Sequence, residues 1–376
     1  MSELKQVSKE HQNIRRDDVL NVLKSYNLDE ARIGMIASHS ALDLAEGAKE
    51  ENFQTVAVCQ RGREQTYLRY KRIITRTLVL ESFSQILQKD IQKKLRELNV
   101  LFVPNRSLTA YVEVERIEKD LLVPMFGTRC MLKTDERELQ HELLEEAGIQ
   151  QPLRFKSYKD IDRLCMVKAK EPIKKIERAF FTCASPQEFM KKWKSKFASS
   201  SAVLEEQLKT GGIWIEEFAL GALFNFNYFY SPLKKELEFL GIDRRIQTNL
   251  DGILRLPAED QLGRNLSVEY YEIGHESATI RESMLEKVYE IGEKFVTASR
   301  RMYPPGIIGP FALQGAVTPD LQIVIYDLSP RMPGSPVLYS SPYSQYYFGY
   351  PVTSGRRVAM EIKMAIDTDE LEKIIT

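Results

Sequence analysis

The sequence predicts an α/β unit built on a parallel sheet, followed by a longer α+β region of mixed strands and helices. Three observations carry that prediction. Short apolar runs alternate with helix-period segments through roughly the first 120 residues. Aromatic-rich strand patterns and long helices then follow without regular alternation. The chain, at 376 residues, also exceeds the size of one ordinary core and suits two or three packed domains.

After a charged leader, Val19–Leu28 reads as a short helix. Arg32–Ala37 (RIGMIA) reads as a buried strand, because its apolar run is short and ends in small polar residues. Ser40–Asn52 has helical spacing, with Leu42, Leu44 and Ala45 on one face. Thr55–Cys59 is the next apolar strand, closed by Gln60-Arg61-Gly62. Strand, helix and strand with short connections make a βαβ unit, the building block of a Rossmann-like parallel sheet. The helix Ile91–Leu98 and the strand Val100–Pro104 extend it, so residues 1–120 form the first predicted domain.

In the middle of the chain, Leu139–Ala147 is an amphipathic helix stopped by Gly148, a normal residue after a helix end. Leu164–Lys168 and Ala179–Cys183 read as strands, and Pro186–Phe197 as a helix with proline in its first turn. Trp214–Phe218 and Phe224–Tyr230 read as strands paired with each other. The last third predicts a long helix at Ile280–Arg301, strands at Gly309–Gly315 and Leu321–Leu328, and a helix at Ser354–Ile366. The aromatic segment Phe224–Tyr230 and the tail SSPYSQYYFGYP read first as core.

Composition removes several classes of function. Lysine plus arginine equal aspartate plus glutamate at 53 each, so no whole-protein basic footprint for nucleic acid exists. No run approaches the ~20 apolar residues a membrane span requires. The polar N-terminus lacks the apolar stretch of a secretory signal. Cys59, Cys130, Cys165 and Cys183 are widely spread without a CxxC pair, which argues against a disulfide framework or zinc site and for a reducing cytoplasm. Of four histidines, His39 stands out. Ser38-His39-Ser40 lies where a strand ends and a helix begins, a place suited to an anion. The alternative is Ser40 as a plain N-cap with His39 idle.

Several stretches together resemble the archaeal PurP family, whose members formylate the aminoimidazole nucleotide AICAR. They are ASHSALDLAEGAKEENFQTVAVCQRGRE, LLVPMFGTRCMLKTDERELQHELLEEAGI, IEEFALGALFNFNYFYSPLKKELEFLGIDRR, TNLDGILRLPAEDQLGRNL, RESMLEKVYEIGEKFV and PPGIIGPFALQ, in family order from about residue 30. The resemblance implies an ATP-grasp domain pair over residues 121–376, with a small lid subdomain at about 135–220 and a large one at about 221–376. It implies a ligase that joins formate to AICAR at the expense of ATP, by way of formyl phosphate, in IMP biosynthesis. ATP and Mg2+ follow as cofactors, and AICAR, formate and ATP as partners. A homo-oligomer is also expected.

The resemblance assigns residues. His39 and Ser107 match substrate-binding positions, and His275 stands where the family has a third, an asparagine. Lys168, Arg178, Glu216, Glu217 and Gln247 fall on ATP-binding positions, although Gln247 replaces a glutamate. Arg331 matches a catalytic arginine. Gln314 and Asp327 occupy the metal positions, with Asp327 in place of a glutamate. Magnesium asks for hard oxygen ligands, and a glutamine carbonyl is a weaker ligand than a carboxylate.

The chain departs from the family most at the loop Lys168–Arg178. Relatives carry glycines there, which let backbone N–H groups form a nest for phosphate. This loop has no glycine, but five basic and two acidic residues. Asn105 and Arg106 also replace a usual His-Gly, and Pro333-Gly334-Ser335 replaces a Gly-Thr-Asn. Three readings remain open at this point: an active AICAR ligase, a non-catalytic paralog binding a nucleotide as sensor or partner subunit, and a ligase with a changed substrate.

Overall fold

A computed structural model describes residues 14–169, 179–197, 206, 212–264, 266, 268, 271–334 and 336–376. Its strands form three sheets. The first contains β1 (Arg32–Ile36), β2 (Gln54–Gln60), β3 (Arg76–Leu80) and β4 (Val100–Phe102), all parallel in the order β3-β2-β1-β4. Apolar side chains cover both faces of its centre, where Ile33, Met35, Val56, Val58, Leu101 and Phe102 are all buried. The chain winds from β1 outward to β2 and β3, then returns to lay β4 on the other side of β1. Connections leaving β1 and β4 therefore diverge, and a crevice opens between them at the carboxyl ends of the strands.

The helix Ala41–Glu50 makes the β1–β2 crossover and packs on the C-terminal helix Ser354–Asp367. The two backbones touch where Gly47 meets Gly355 and Arg356; a Cβ at Gly47 has no room. Past that helix, Met125 and Thr376 exchange backbone hydrogen bonds of 3.0 and 2.8 Å. The end of the chain is thus tied to the parallel sheet.

The second sheet is small and antiparallel: β5 (Arg154–Phe155), β6 (Cys165–Ala169), β7 (Ala179–Cys183) and β8 (Ile213–Glu217), in the order β5-β8-β6-β7. The third is antiparallel and five-stranded: β9 (Ala222–Ser231), β10 (Glu236–Gln247), β11 (Glu272–Ala278), β12 (Gly309–Val317) and β13 (Ile323–Ser329), in the order β11-β10-β9-β12-β13. Helix Leu285–Met302 covers one face of the third sheet. Its Val288, Phe295 and Val296 share a core with Phe226, Tyr228 and Phe311. The Tyr228 and Phe311 rings stack 5.0 Å apart, and Phe295 stacks on Phe311 at 4.8 Å. Burying side chains of this size stabilises the sheet by about 1.5–3 kcal/mol each.

The predicted pairing of Trp214–Phe218 with Phe224–Tyr230 does not occur. β8 belongs to the small sheet and β9 to the large one; the link Phe218–Gly221 crosses between them. Gly221 lies so close to the Val317 carbonyl that a side chain there would collide with it, so the link turns onto the large sheet instead of folding a hairpin. β9 makes its hairpin with β10, through a turn in which Lys235 has a φ of 58°. The first helix is shifted to Arg16–Leu23, with a 3-10 turn at Leu28–Glu30. No helix among the described residues is long and apolar enough to cross a membrane.

Candidate active site

Three loops converge at the carboxyl edge of the parallel sheet. After β1, Ser38–Ser40 turns sharply, with His39 at a φ of 51°. After β4, Pro104–Ser107 enters the helix Arg106–Tyr111. After β13, Arg331–Gly334 crosses over both. Met332 donates to the Pro104 carbonyl at 3.2 Å, and the Ser40 hydroxyl donates to the Pro333 carbonyl. Ser40 thus sits at the N-cap position without capping the helix through its side chain. Fully buried Asn105 ties the first two loops together, donating to the carbonyls of Ile36 at 2.9 Å and Ser38 at 3.0 Å. Ser107 is buried next to it.

His39 reaches solvent, but the crevice walls around it desolvate the ring. Burial pushes its pKa down to about 4, helped by the positive charges of Arg331, His275 and Arg106 and opposed by Glu272. The imidazole is therefore neutral near pH 7. Gly334 lies against it so closely that a Cβ there would overlap the ring.

The floor of the crevice is the open face of the five-stranded sheet. Directly opposed residues point to the same face of a sheet. The register places Ser277, Asp243, Asn225, Gln314 and Asp327 in one row across all five strands. Asp243 is wholly buried and accepts from Asn225 at 2.6 Å and Asn227 at 2.7 Å. Next to it, His275 Nδ1 lies 2.6 Å from Asp243 Oδ2, and Nε2 lies 3.0 Å from Glu272 Oε1. A carboxylate only accepts, so both ring nitrogens carry protons. Burial alone would lower the His275 pKa, but the two carboxylates outweigh it and raise it to about 9. Glu272 pairs in turn with Arg245 at 2.8 Å. Desolvation opposes its ionisation, but the hydrogen bond from His275 and the charge of Arg245 dominate and lower its pKa to about 2.

At the other end of the row, Gln314 opposes Asp327 across β12 and β13. The Gln314 Oε1 is buried without a hydrogen-bond partner among the described residues. An orphaned carbonyl oxygen costs free energy unless something binds it. Its neighbour in the row is a carboxylate, so the pair suits a hard divalent cation such as magnesium, completed by phosphate oxygens and water. Gln140, once its amide is turned, places its nitrogen 3.1 Å from Asp327 Oδ1. No cluster of three His, Cys, Asp or Glu residues able to hold a metal occurs among the described residues.

Tyr326, beside Asp327, links the floor to the small sheet. Its hydroxyl is pushed up to about 12, first by burial, and it interacts electrostatically with Arg245, Asp327, Glu216 and Asp243. Lys168 lies 5.7 Å from its ring centroid and pairs with Glu216, which also accepts from the Trp214 indole at 2.6 Å. Glu217 is half-buried and lies 3.6 Å from Arg163. Gln247 ends β10 opposite Glu272, its backbone N–H held by Asp251 at 2.6 Å. Arg331 is buried and chelated by Asp135, at 3.3 Å from Nε and 3.2 Å from Nη2.

His39, His275 and Arg331 thus meet at one end, Lys168 and Glu216 face Tyr326 at the other, and Gln314 with Asp327 lies between. Arg178 and the segment 170–178 fall outside the described residues. The sequence reading missed Asp243, Asn225, Arg245, Glu272, Tyr326 and Asp135. The alternation of Asp243, Arg245 and Gln247, and of Asn225 and Asn227, was the available signal for three of these inward polar positions.

A parallel-sheet unit followed by two antiparallel sheets that face each other across such a crevice is the architecture of an ATP-grasp protein. A biotin carboxylase from Campylobacter jejuni shares this fold, with a TM-score of 0.60 at 11% identity over 89% of this chain and 71% of its own. Two family models match. One, described as a domain of unknown function (DUF1297), covers residues 188–376; the other, described as a protein of unknown function (DUF1246), covers residues 33–155. The crystal structure of an IMP biosynthesis protein PurP from Thermococcus kodakaraensis superposes with a TM-score of 0.71 at 29% identity, over 92% of this chain and all of that one. The 5-formaminoimidazole-4-carboxamide-1-(beta)-D-ribofuranosyl 5'-monophosphate synthetase of Methanocaldococcus jannaschii is 39% identical over 96% of this chain and 100% of its own length. The chain belongs to the family of these synthetases.

Proposed function

We propose that this protein is an ATP- and formate-dependent ligase that converts AICAR to formyl-AICAR in purine biosynthesis. The carrying observation is the series of charge interactions that couples neutral His39 at the switch-point crevice to the Lys168–Glu216 pair through Arg331, Asp327 and Tyr326.

Formate acylates an amine only after one of its oxygens becomes part of a leaving group. In the proposed first step a formate oxygen attacks the terminal phosphorus of ATP, and ADP leaves. In the second, the AICAR amine attacks the formyl carbon, phosphate leaves with that oxygen, and the amine gives up a proton. Catalysis of such transfers is chiefly positioning and charge neutralisation. Asp327 and Gln314 would hold magnesium, which supplies charge neutralisation at the transferring phosphoryl group. Lys168 and Arg331 supply fixed positive charge on either side of the row. Uncharged His39, with a ring nitrogen able to accept, faces the amine. His275 keeps its charge and orients the heterocycle.

On this reading, residues 1–120 form the substrate domain, and residues 121–376 the ATP-grasp region, with a small subdomain at about 135–220 and a large one at about 221–376. The enzyme acts in the cytoplasm as a homo-oligomer. Purified protein incubated with ATP, magnesium, formate and AICAR should release ADP and formyl-AICAR in equal amounts, with each component required. ADP release that ignores AICAR, or no release at all, would overturn the proposal.

A further inference from the structure

We infer that Arg106 is a specificity residue that binds the phosphate monoester of the substrate nucleotide, with Asp135 as its positioning residue. The inference rests on the AICAR reading above and deepens it.

Asp135 is shared unequally by two guanidinium groups. Its carboxylate takes both sides of the buried Arg331 fork, whose side chain is 6% exposed. The Thr109 hydroxyl adds a 2.6 Å hydrogen bond to Oδ2. Arg106 touches the same Oδ2 only at 3.7 Å from Nη1, and its side chain is 39% exposed. Among the described residues the Arg106 guanidinium makes no hydrogen bond. One carboxylate thus serves two cations, leaving a net positive charge, and no Arg106 N–H is spent in a hydrogen bond among the described residues.

The location defines the ligand. Arg106 follows β4 directly, next to buried Ser107, and its loop flanks the crevice between β1 and β4. It therefore lies at the carboxyl edge of the parallel sheet, where its charge acts on His39, whereas the phosphates of ATP belong by Lys168 on the present reading. Like charges confirm how crowded this corner is: Arg106 and Arg331 each disfavour protonation of His39, and Arg106 also disfavours that of Arg331. A dianion entering here relieves all three at once. A planar guanidinium with free N–H groups matches phosphate oxygens two at a time, while formate, a monoanion that must approach the transferring phosphoryl group, is needed further along the row.

Titration calorimetry on the full chain tests this with three ligands: AICAR, its phosphate-free riboside, and magnesium–ATP. Arg106→Ala should weaken AICAR by about 10- to 100-fold, the loss of a charge-assisted hydrogen bond. Riboside and magnesium–ATP affinities should stay unchanged, and Arg106→Lys should recover part of the loss. Arg106 is at the surface and the magnesium–ATP arm reports that the variant is folded. AICAR affinity within about twofold of wild type overturns the inference, as does an equal loss for AICAR and riboside. Wild-type protein that fails to bind AICAR overturns the AICAR reading itself, and this inference with it.

Discussion

Replacing His275 with asparagine should destabilise the protein in a way that depends on pH. His275 is clamped between Asp243 and Glu272, and its pKa rises from 6.5 to about 9 on folding. A folded pKa above the unfolded one means that the native state binds the proton more tightly. The resulting stability is fully present below pH 6.5 and disappears as the pH rises through about 9. At 1.36 kcal/mol per pKa unit, the shift corresponds to about 3 kcal/mol. The side chain is only 10% exposed, so solvent screens little of it. His275→Asn removes the charge and leaves two buried carboxylates with one cation fewer. Urea unfolding of both proteins at about pH 6 and about pH 10 measures the effect. The stability gap should be about 3 kcal/mol wider at the lower pH. Groups outside the Asp243–His275–Glu272 cluster titrate alike in both proteins and cancel in the difference. A gap that stays constant across that range would show that His275 carries no extra proton in the native state.

Gly334→Ala drives a methyl group into the His39 ring. The ring is the free end of a side chain and can rotate away, so the melting temperature should move little while KM for AICAR rises by about tenfold or more. Asp327→Asn removes the only carboxylate of the proposed magnesium pair. The magnesium concentration for half-maximal ADP formation should rise at least about tenfold, and an unchanged requirement would place the ion elsewhere.

The parallel sheet was legible because its strands are short apolar runs set between helix-period segments. β1, β2 and β4 stand within a residue or two of the expected ranges. β3 escaped because four of the five residues of Arg76–Leu80 are not buried, so the run looks like a surface segment. β10 escaped for a more informative reason. Its inward face carries Asp243 and Arg245, so no apolar alternation marks its second half. A strand with polar groups on its inner face makes sense only beside a site. The β8–β9 pairing failed because adjacency in sequence favours a hairpin, whereas the glycine link steps between sheets. Individual candidates such as His39 and Asp327 could be named from the resemblance, but their meeting depends on strand register. His275 lies beside Asp243 only because β10 and β11 pair as they do, 32 residues apart in the chain. Asp135 carries no motif, and Arg106 stands out in the sequence only as a departure from the family's His-Gly; their relation emerges from one shared carboxylate.

The central claim is that one crevice passes a phosphoryl group from ATP to formate and a formyl group onward to AICAR. Formate labelled with 18O in both oxygens tests it most directly. Attack by a formate oxygen on phosphorus, followed by cleavage of the C–O bond, leaves one labelled oxygen in each inorganic phosphate and the other in the formyl group of the product. Mass spectrometry of the phosphate should show that single label in step with formyl-AICAR. Unlabelled phosphate, or formyl-AICAR formed without ATP cleavage, would contradict the account.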